Sequence, residues 1–310
     1  MPKLIRKSVI LAKIESTAGT DPTPTGSSNA ILVRNLSITP LAGNTVSRDL
    51  VRPYLGEFDQ IFAEKHVEIE FEVEYAASGT AGTAPAYGPL LKACAMSETI
   101  SAGVSVTYAP VSTGFSSVTI YMNVDGLLHK ITYARGTVDI ELTANQIPVF
   151  KFKFIGVYNA VTDTAAPTPT YTGFQTPFIV DNTNTTGFSF FSVTSLVLES
   201  LMVSIGNQVE YRSLIGSTST EIVDRRTSGE VVFEMPPVST LDIFGSAIAN
   251  TTGAISIAHG VGAGKILTLA STKVDIGQPS YQDSQGIQMV RTPFVMLPTS
   301  GNDEWSLVLT

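Results

Sequence analysis

The sequence predicts a mainly β protein made of two tandem β-sandwich or barrel domains, each flanked by one short α-helix. Three observations carry that prediction. Of 310 residues, only 15% are charged while 43% are hydrophobic, and Gly, Pro, Ser and Thr abound; this is the bias of a chain with a sizeable core and many turns. Long stretches alternate apolar and polar residues, the signature of strands that bury one face. The order of these stretches in the first half recurs in the second.

Taken in order, residues 1–30 are expected to form an N-terminal arm, because residues 14–30 are rich in Thr, Gly, Pro and Ser and too poor in apolar surface to order alone. The first domain then spans residues 31–160. Ile31 to Thr39 is apolar and β-branched, ends at Pro40, and reads as a strand. Gly43 to Lys65 reads as a polar connection longer than most loops in compact domains. Its Arg48, Asp49, Arg52, Glu57, Asp59, Glu64 and Lys65 carry both signs of charge, which suits pairing across an interface. Arm and loop are both expected to order only against neighbouring subunits.

The clearest segment runs from Val67 to Tyr75. Successive strand side chains point to opposite faces, so Val67, Ile69, Phe71, Val73 and Tyr75 meet a core while Glu68, Glu70, Glu72 and Glu74 share the other face. An ordinary solvated face is one reading; a selected acidic wall is the other, since like charges about 7 Å apart repel. Tyr87, Leu90, Leu91 and Cys94 have helical spacing, with Pro89 tolerated in the first turn. Strands are predicted at Val104–Ala109, Ser117–Val124, Leu128–Ala134, Gly136–Leu142 and Pro148–Val157, the last alternating Phe150, Phe152 and Phe154 with Lys151 and Lys153.

A Thr/Pro-rich break at residues 161–186 predicts a linker over 161–192, followed by a second domain over 193–310. Leu196–Ser204 answers the Ile31 strand, and Glu230–Met235 answers the glutamate strand. Thr240, Ile243, Phe244 and Ala247 repeat the helical spacing, with Ser239 as N-cap. Lys265-Ile266 followed by Val274-Asp275-Ile276 corresponds to Lys130-Ile131 followed by Val138-Asp139-Ile140.

Chemistry is sought and not found. His66, His129 and His259 lack metal-ligand spacing, no nucleophile elbow or zinc-protease motif occurs, and Gly260–Lys265 fails as a phosphate loop because His259 and Ile266 occupy defining positions. That segment reads as a hairpin connection, Cys94 as a buried hydrophobe and Trp305 as an anchor. No enzyme, cofactor or metal site is expected. A net charge of −8 does not support phosphate binding, and a single cysteine excludes an internal disulfide framework. The N-terminal apolar run is broken by Lys13 and Glu15 too soon for a secretory segment, and no stretch of about 20 apolar residues exists, so no membrane association is expected.

The segments Ile14-Glu15-Ser16-Thr17-Ala18-Gly19-Thr20-Asp21-Pro22 and Ala84-Pro85-Ala86-Tyr87-Gly88-Pro89-Leu90-Leu91-Lys92-Ala93-Cys94 resemble the arm and helix of siphophage tail tube proteins. The likeness covers most of residues 8–160. It implies a structural virion protein of the phage tail, made in the host cytoplasm, in which six β-sandwich domains form a ring, inner sheets join into one barrel, and rings stack into a conduit for double-stranded DNA. Implied partners are further copies of itself and the tape measure, terminator and distal tail proteins. Glu68, Glu70, Glu72 and Glu74, with Glu230 and Glu234 as counterparts, would then face the lumen, where acidic walls let DNA slide. If each chain supplies two of six domains, three chains complete a pseudo-sixfold ring. The alternatives are six chains with the second half decorating the outside, or a β-sandwich carbohydrate-binding or adhesion module.

Overall fold

The alternating segments of the first half become antiparallel strands around one core in the computed structural model, which describes residues 2–310. In chain order they are β1 (Ser8–Ile14), α1 (Gly26–Asn29), β2 (Ala30–Ile31), β3 (Arg34–Ser47), β4 (Gln60–Glu74), α2 (Gly88–Ala93), β5 (Met96–Ser101), β6 (Ser105–Pro110), β7 (Val118–Val124), β8 (Leu127–Thr143), β9 (Val149–Tyr158) and β10 (Thr162–Asp163). Val67, Ile69, Phe71, Val73 and Tyr75 of β4 are all buried. They face Phe150, Phe152 and Phe154 of β9, with the Phe71 and Phe152 rings 5.8 Å apart. Burial of each such aromatic contributes about 2–3 kcal/mol. On α2, Leu90 and Leu91 pack into the same core and Cys94 closes the helix. Burial pushes the Cys94 thiol well up, so it stays protonated.

Two expectations for this half are corrected. Leu128–Ala134 and Gly136–Leu142 are not two strands but one, β8, whose first part pairs with β7 and whose second part pairs with β9. Bulges opposite β7 and at Thr132–Arg135 bend it, so a single strand passes from one sheet to the other. The connection Gly43–Lys65 is ribbon over about half its length: β3 runs to Ser47 and β4 starts at Gln60, leaving residues 48–59 as loop. Gly43 makes the irregular ribbon possible, since a Cβ there would meet the Ala63 carbonyl oxygen at 2.4 Å. The arm is likewise partly strand, with β1 lying between β2 and β7. Residues 15–25 fold back on it, held by the buried Glu15.

The second half contains β11 (Thr185–Phe190), β12 (Leu198–Ser204), β13 (Asn207–Leu214), β14 (Ser217–Arg225), β15 (Ser228–Glu234), α3 (Ile243–Ile248), β16 (Gly253–His259), β17 (Leu267–Ile276), β18 (Ser280–Ser284), β19 (Ile287–Met296) and β20 (Ser306–Leu309). Its pairing order β11–β16–β17–β19–β15–β12 follows the order β1–β7–β8–β9–β4–β3 of the first half. β11 falls inside the expected linker, and the preceding residues run over the first half, where Thr170 N–H donates to the Gly26 carbonyl. α3 is capped by Asp242 rather than Ser239: the Asp242 carboxylate accepts from Gly245 N–H at 2.8 Å, while Ser239 sits in the turn closed by Thr240 N–H to Pro237.

The halves share a core and are joined twice. β20 lies between β17 and β6. More consequentially, β12 pairs with the second part of β8, setting Leu201 opposite Leu142 and Val203 opposite Ile140. One long sheet results, with lanes β3–β4–β9–β8–β12–β15–β19–β18.

Candidate assembly surfaces

The long sheet has one face on the core and one face free, and strand period two decides which side chains reach the free face. On β4 these are Glu68, Glu70, Glu72 and Glu74, as the alternation requires. Antiparallel register then fixes their neighbours. Lys153 of β9 lies opposite Glu70 and Lys151 lies opposite Glu72, followed on β8 by Asp139 and Glu141. Across the junction come Met202 and Ser204 of β12, then Glu230, Val232 and Glu234 of β15, and Arg291 on β19. The sequence-predicted Glu68, Glu70, Glu72, Glu74, Glu230 and Glu234 are thus brought onto one face of one sheet.

That face is mixed in charge. Lys153 Nζ lies 3.0 Å from Glu70 and 3.8 Å from Glu68, Arg34 Nε 2.8 Å from Glu72, Arg291 Nε 2.6 Å from Glu230, and Lys151 pairs with Glu141. These hydrogen-bonded partners hold Lys151 and Lys153 above the usual lysine range. Exposed pairs of this kind contribute at most about 1 kcal/mol each, but they cancel charge locally. Carboxylates still outnumber the cations: Glu68, Glu70, Glu72, Glu74, Asp139, Glu141, Glu230 and Glu234, with Glu199 at the β12 bulge accepting from Gln282 and Ser284, against Arg34, Lys151, Lys153 and Arg291. Local alternation reveals the glutamates; the facing lysines require the register of β4 on β9, which no single segment contains.

The charged residues predicted to form a polar loop divide between two environments. Arg48, Asp49, Arg52, Glu57 and Asp59 lie in the 48–59 loop, whereas Glu64 and Lys65 belong to β4. Arg48 pairs with Asp59 at 3.1 Å, and Arg52 stacks over Tyr54 and Phe58 while donating to the Glu57 carbonyl at 2.8 Å. Leu50, Val51 and Leu55 of the same loop are exposed. The β13–β14 ribbon is the second projecting element, and it is docked. Tyr211 stacks on His66 with centroids 4.8 Å apart and donates to the Lys65 carbonyl at 2.7 Å. The buried Arg135 reaches from β8 to the Thr220 carbonyl at 3.0 Å and pairs with Glu221. Sequence reading missed this clasp, whose parts lie 85 to 146 positions apart.

His66 is stacked, and burial lowers the basicity of His259, which exchanges a 2.9 Å hydrogen bond with Thr185. Among the described residues no group of three or more His, Cys, Asp or Glu side chains could hold a metal ion, and no helix is long and apolar enough to cross a membrane. No curated protein matches the chain. A family model described as phage tail tube protein matches residues 5–294.

Proposed function

The chain belongs to the phage tail tube protein family and is a structural component of the virion tail, and we propose that three copies close into each ring of the tube, every copy supplying two repeats of one β unit. The observation that carries this reading is the β8–β12 junction, where the two halves already form one sheet inside a single chain. Each half gives four lanes to that sheet. Three chains therefore bring twenty-four lanes, and at strand spacings near 4.8 Å and tilts near 40° the closed barrel measures about 45–50 Å across at the backbone. That leaves room for a DNA duplex.

The free face of the long sheet is the one that lines such a barrel. Its residual negative charge repels phosphate and its lysines are engaged by glutamates, so the wall offers DNA little to grip. Rings stack head to tail, a heterologous contact that extends without limit. The tube's ends are where tape measure, terminator and distal tail proteins engage it.

The test is a view down the axis of tubes assembled from the purified chain, by cryo-electron microscopy. Three chains around the lumen, with both halves in the wall, are expected. Six chains around the lumen, each carrying its second half outside, would overturn the reading.

A further inference from the structure

Among the described residues the long sheet ends in two open edges: β3 is paired only with β4, and β18 only with β19. On the proposal that chains close into a ring, we infer that β18 of one chain pairs antiparallel with β3 of a second copy in one defined register, with Gln282 opposite Ser37 of that copy. The register comes from the junction already present within the chain.

A bulge shared by the halves aligns them. In β7–β8 the pairing slips between Val118↔Ala134 and Ile120↔Ile131; in β16–β17 it slips in the same way between Gly253↔Val274 and Ile255↔Ser271. Ala134 therefore corresponds to Val274. Reading across the ladders, Phe154 corresponds to Phe294, Ile69 to Gly229, and Ile38 to Val203. β18 continues the lane of β17 beside β19 after an irregularity at residues 277–279, so Tyr281 takes the place that Ile140 holds in β8. Within the chain Ile140 faces Val203 and Glu141 faces Met202. The same arrangement between chains sets Tyr281 against Ile38 and Gln282 against Ser37. Side-chain character agrees, for Tyr281 and Ile38 are both core-side and apolar, while Gln282 and Ser37 are both polar and on the free face.

A second observation marks the same surface. Arg135, which receives the β13–β14 ribbon in the first half, corresponds to Asp275, whose Oδ1 is buried without a hydrogen-bond partner. A β3–β4 ribbon arriving from a second copy covers that position as β13–β14 covers Arg135, and it carries Arg48 and Arg52 at its tip.

Disulfide trapping tests the register on assembled tubes. Ala144 N–H donates to the Glu199 carbonyl and Ile205 N–H to the Val138 carbonyl, which makes Glu141↔Met202 a non-hydrogen-bonded pair, the kind whose side chains approach closely enough to be bridged. Ser37→Cys with Gln282→Cys is therefore expected to cross-link chains, giving a ladder on non-reducing gels that stops at three. Glu141→Cys with Met202→Cys serves as the control and should bridge within one chain. Ser37→Cys with Ser280→Cys or Ser284→Cys lies two residues out of register and should remain reduced. Tubes in which these offset pairs trap, or in which no pair traps although the control does, would overturn the inference. A ladder that continues to six would instead overturn the three-chain ring and leave the seam standing, and a parent chain that forms no tubes would count against the functional reading alone.

Discussion

Glu15 shows how one side chain organises a segment that composition alone calls disordered. Glu15 is 6% exposed, and its carboxylate accepts from Gly19 N–H at 2.7 Å, Tyr133 N–H at 2.8 Å, and the Ser117 and Thr119 hydroxyls at 2.6 Å. Tyr133 sits at φ 52°, a left-handed conformation costly for an aromatic residue, so the bond to its N–H also holds strained backbone. Glu15→Ala strands several buried donors at once and should lower unfolding free energy by roughly 3–5 kcal/mol; Glu15→Gln should cost less, and chemical denaturation of both variants measures the difference. Asp21 anchors the next turn of the arm. Burial opposes its charge, but hydrogen bonds from Tyr121, Thr23 N–H and Lys130 prevail and hold the carboxyl below its ordinary value. A depressed folded-state value contributes stability above the unfolded value near pH 4, and that contribution is lost as pH falls through the folded one. Protection factors of residues 16–25, the exchange rates divided by the intrinsic rate at each pH, should accordingly fall in acid, and Asp21→Asn should show the low protection already at neutral pH.

The β3–β4 ribbon is the element where sequence and structure differ most instructively. Val67 to Tyr75 was legible because every side chain there reports its face; Asn44 to Lys65 was not, because a two-stranded ribbon standing clear of the core has no buried face to select apolar residues. β13–β14 was hidden for a different reason: it buries Thr220 and Ile222, but against strands of the first half that lie far away in sequence. β8 was read as two strands because its bulge at Thr132–Arg135 interrupts the alternation, and β20 has only four residues whose burial depends on β6 and β17, far away in sequence. The glutamates of the candidate surface were visible for the reason β4 was; Lys151 and Lys153 were visible as alternation on β9 but not as their partners. Replacing residues 48–59 with an Asn-Gly turn keeps the ribbon and removes only its tip. Folded, soluble subunits with little change in melting temperature, but unable to form tubes, are expected by calorimetry and sedimentation; normal tubes would show that the tip is not an assembly element.

For the whole molecule, on the proposal that the free face lines the lumen, its charge has a consequence for DNA transit. Among the described residues no cation lies in salt-bridge range of Glu74 or Glu234 on that face, so Glu74→Lys with Glu234→Lys removes two carboxylates and adds two cations without breaking an existing pair. Tubes should still form. Phage carrying this pair should release DNA several-fold more slowly at low ionic strength and recover as salt is raised, because phosphate contacts weaken steeply with salt; unchanged release at low salt would separate the face from the lumen. The β8–β12 junction also bears on how rings begin. Units joined by one chain meet at an effective concentration in the millimolar range, far above that of free subunits in a cell, so half of the contacts in a three-chain ring exist as soon as each chain has folded. On the three-chain proposal, formation of a first ring varies with the third power of subunit concentration where six separate units would require the sixth, so a phage early in its burst, with few copies made, would already nucleate a tail.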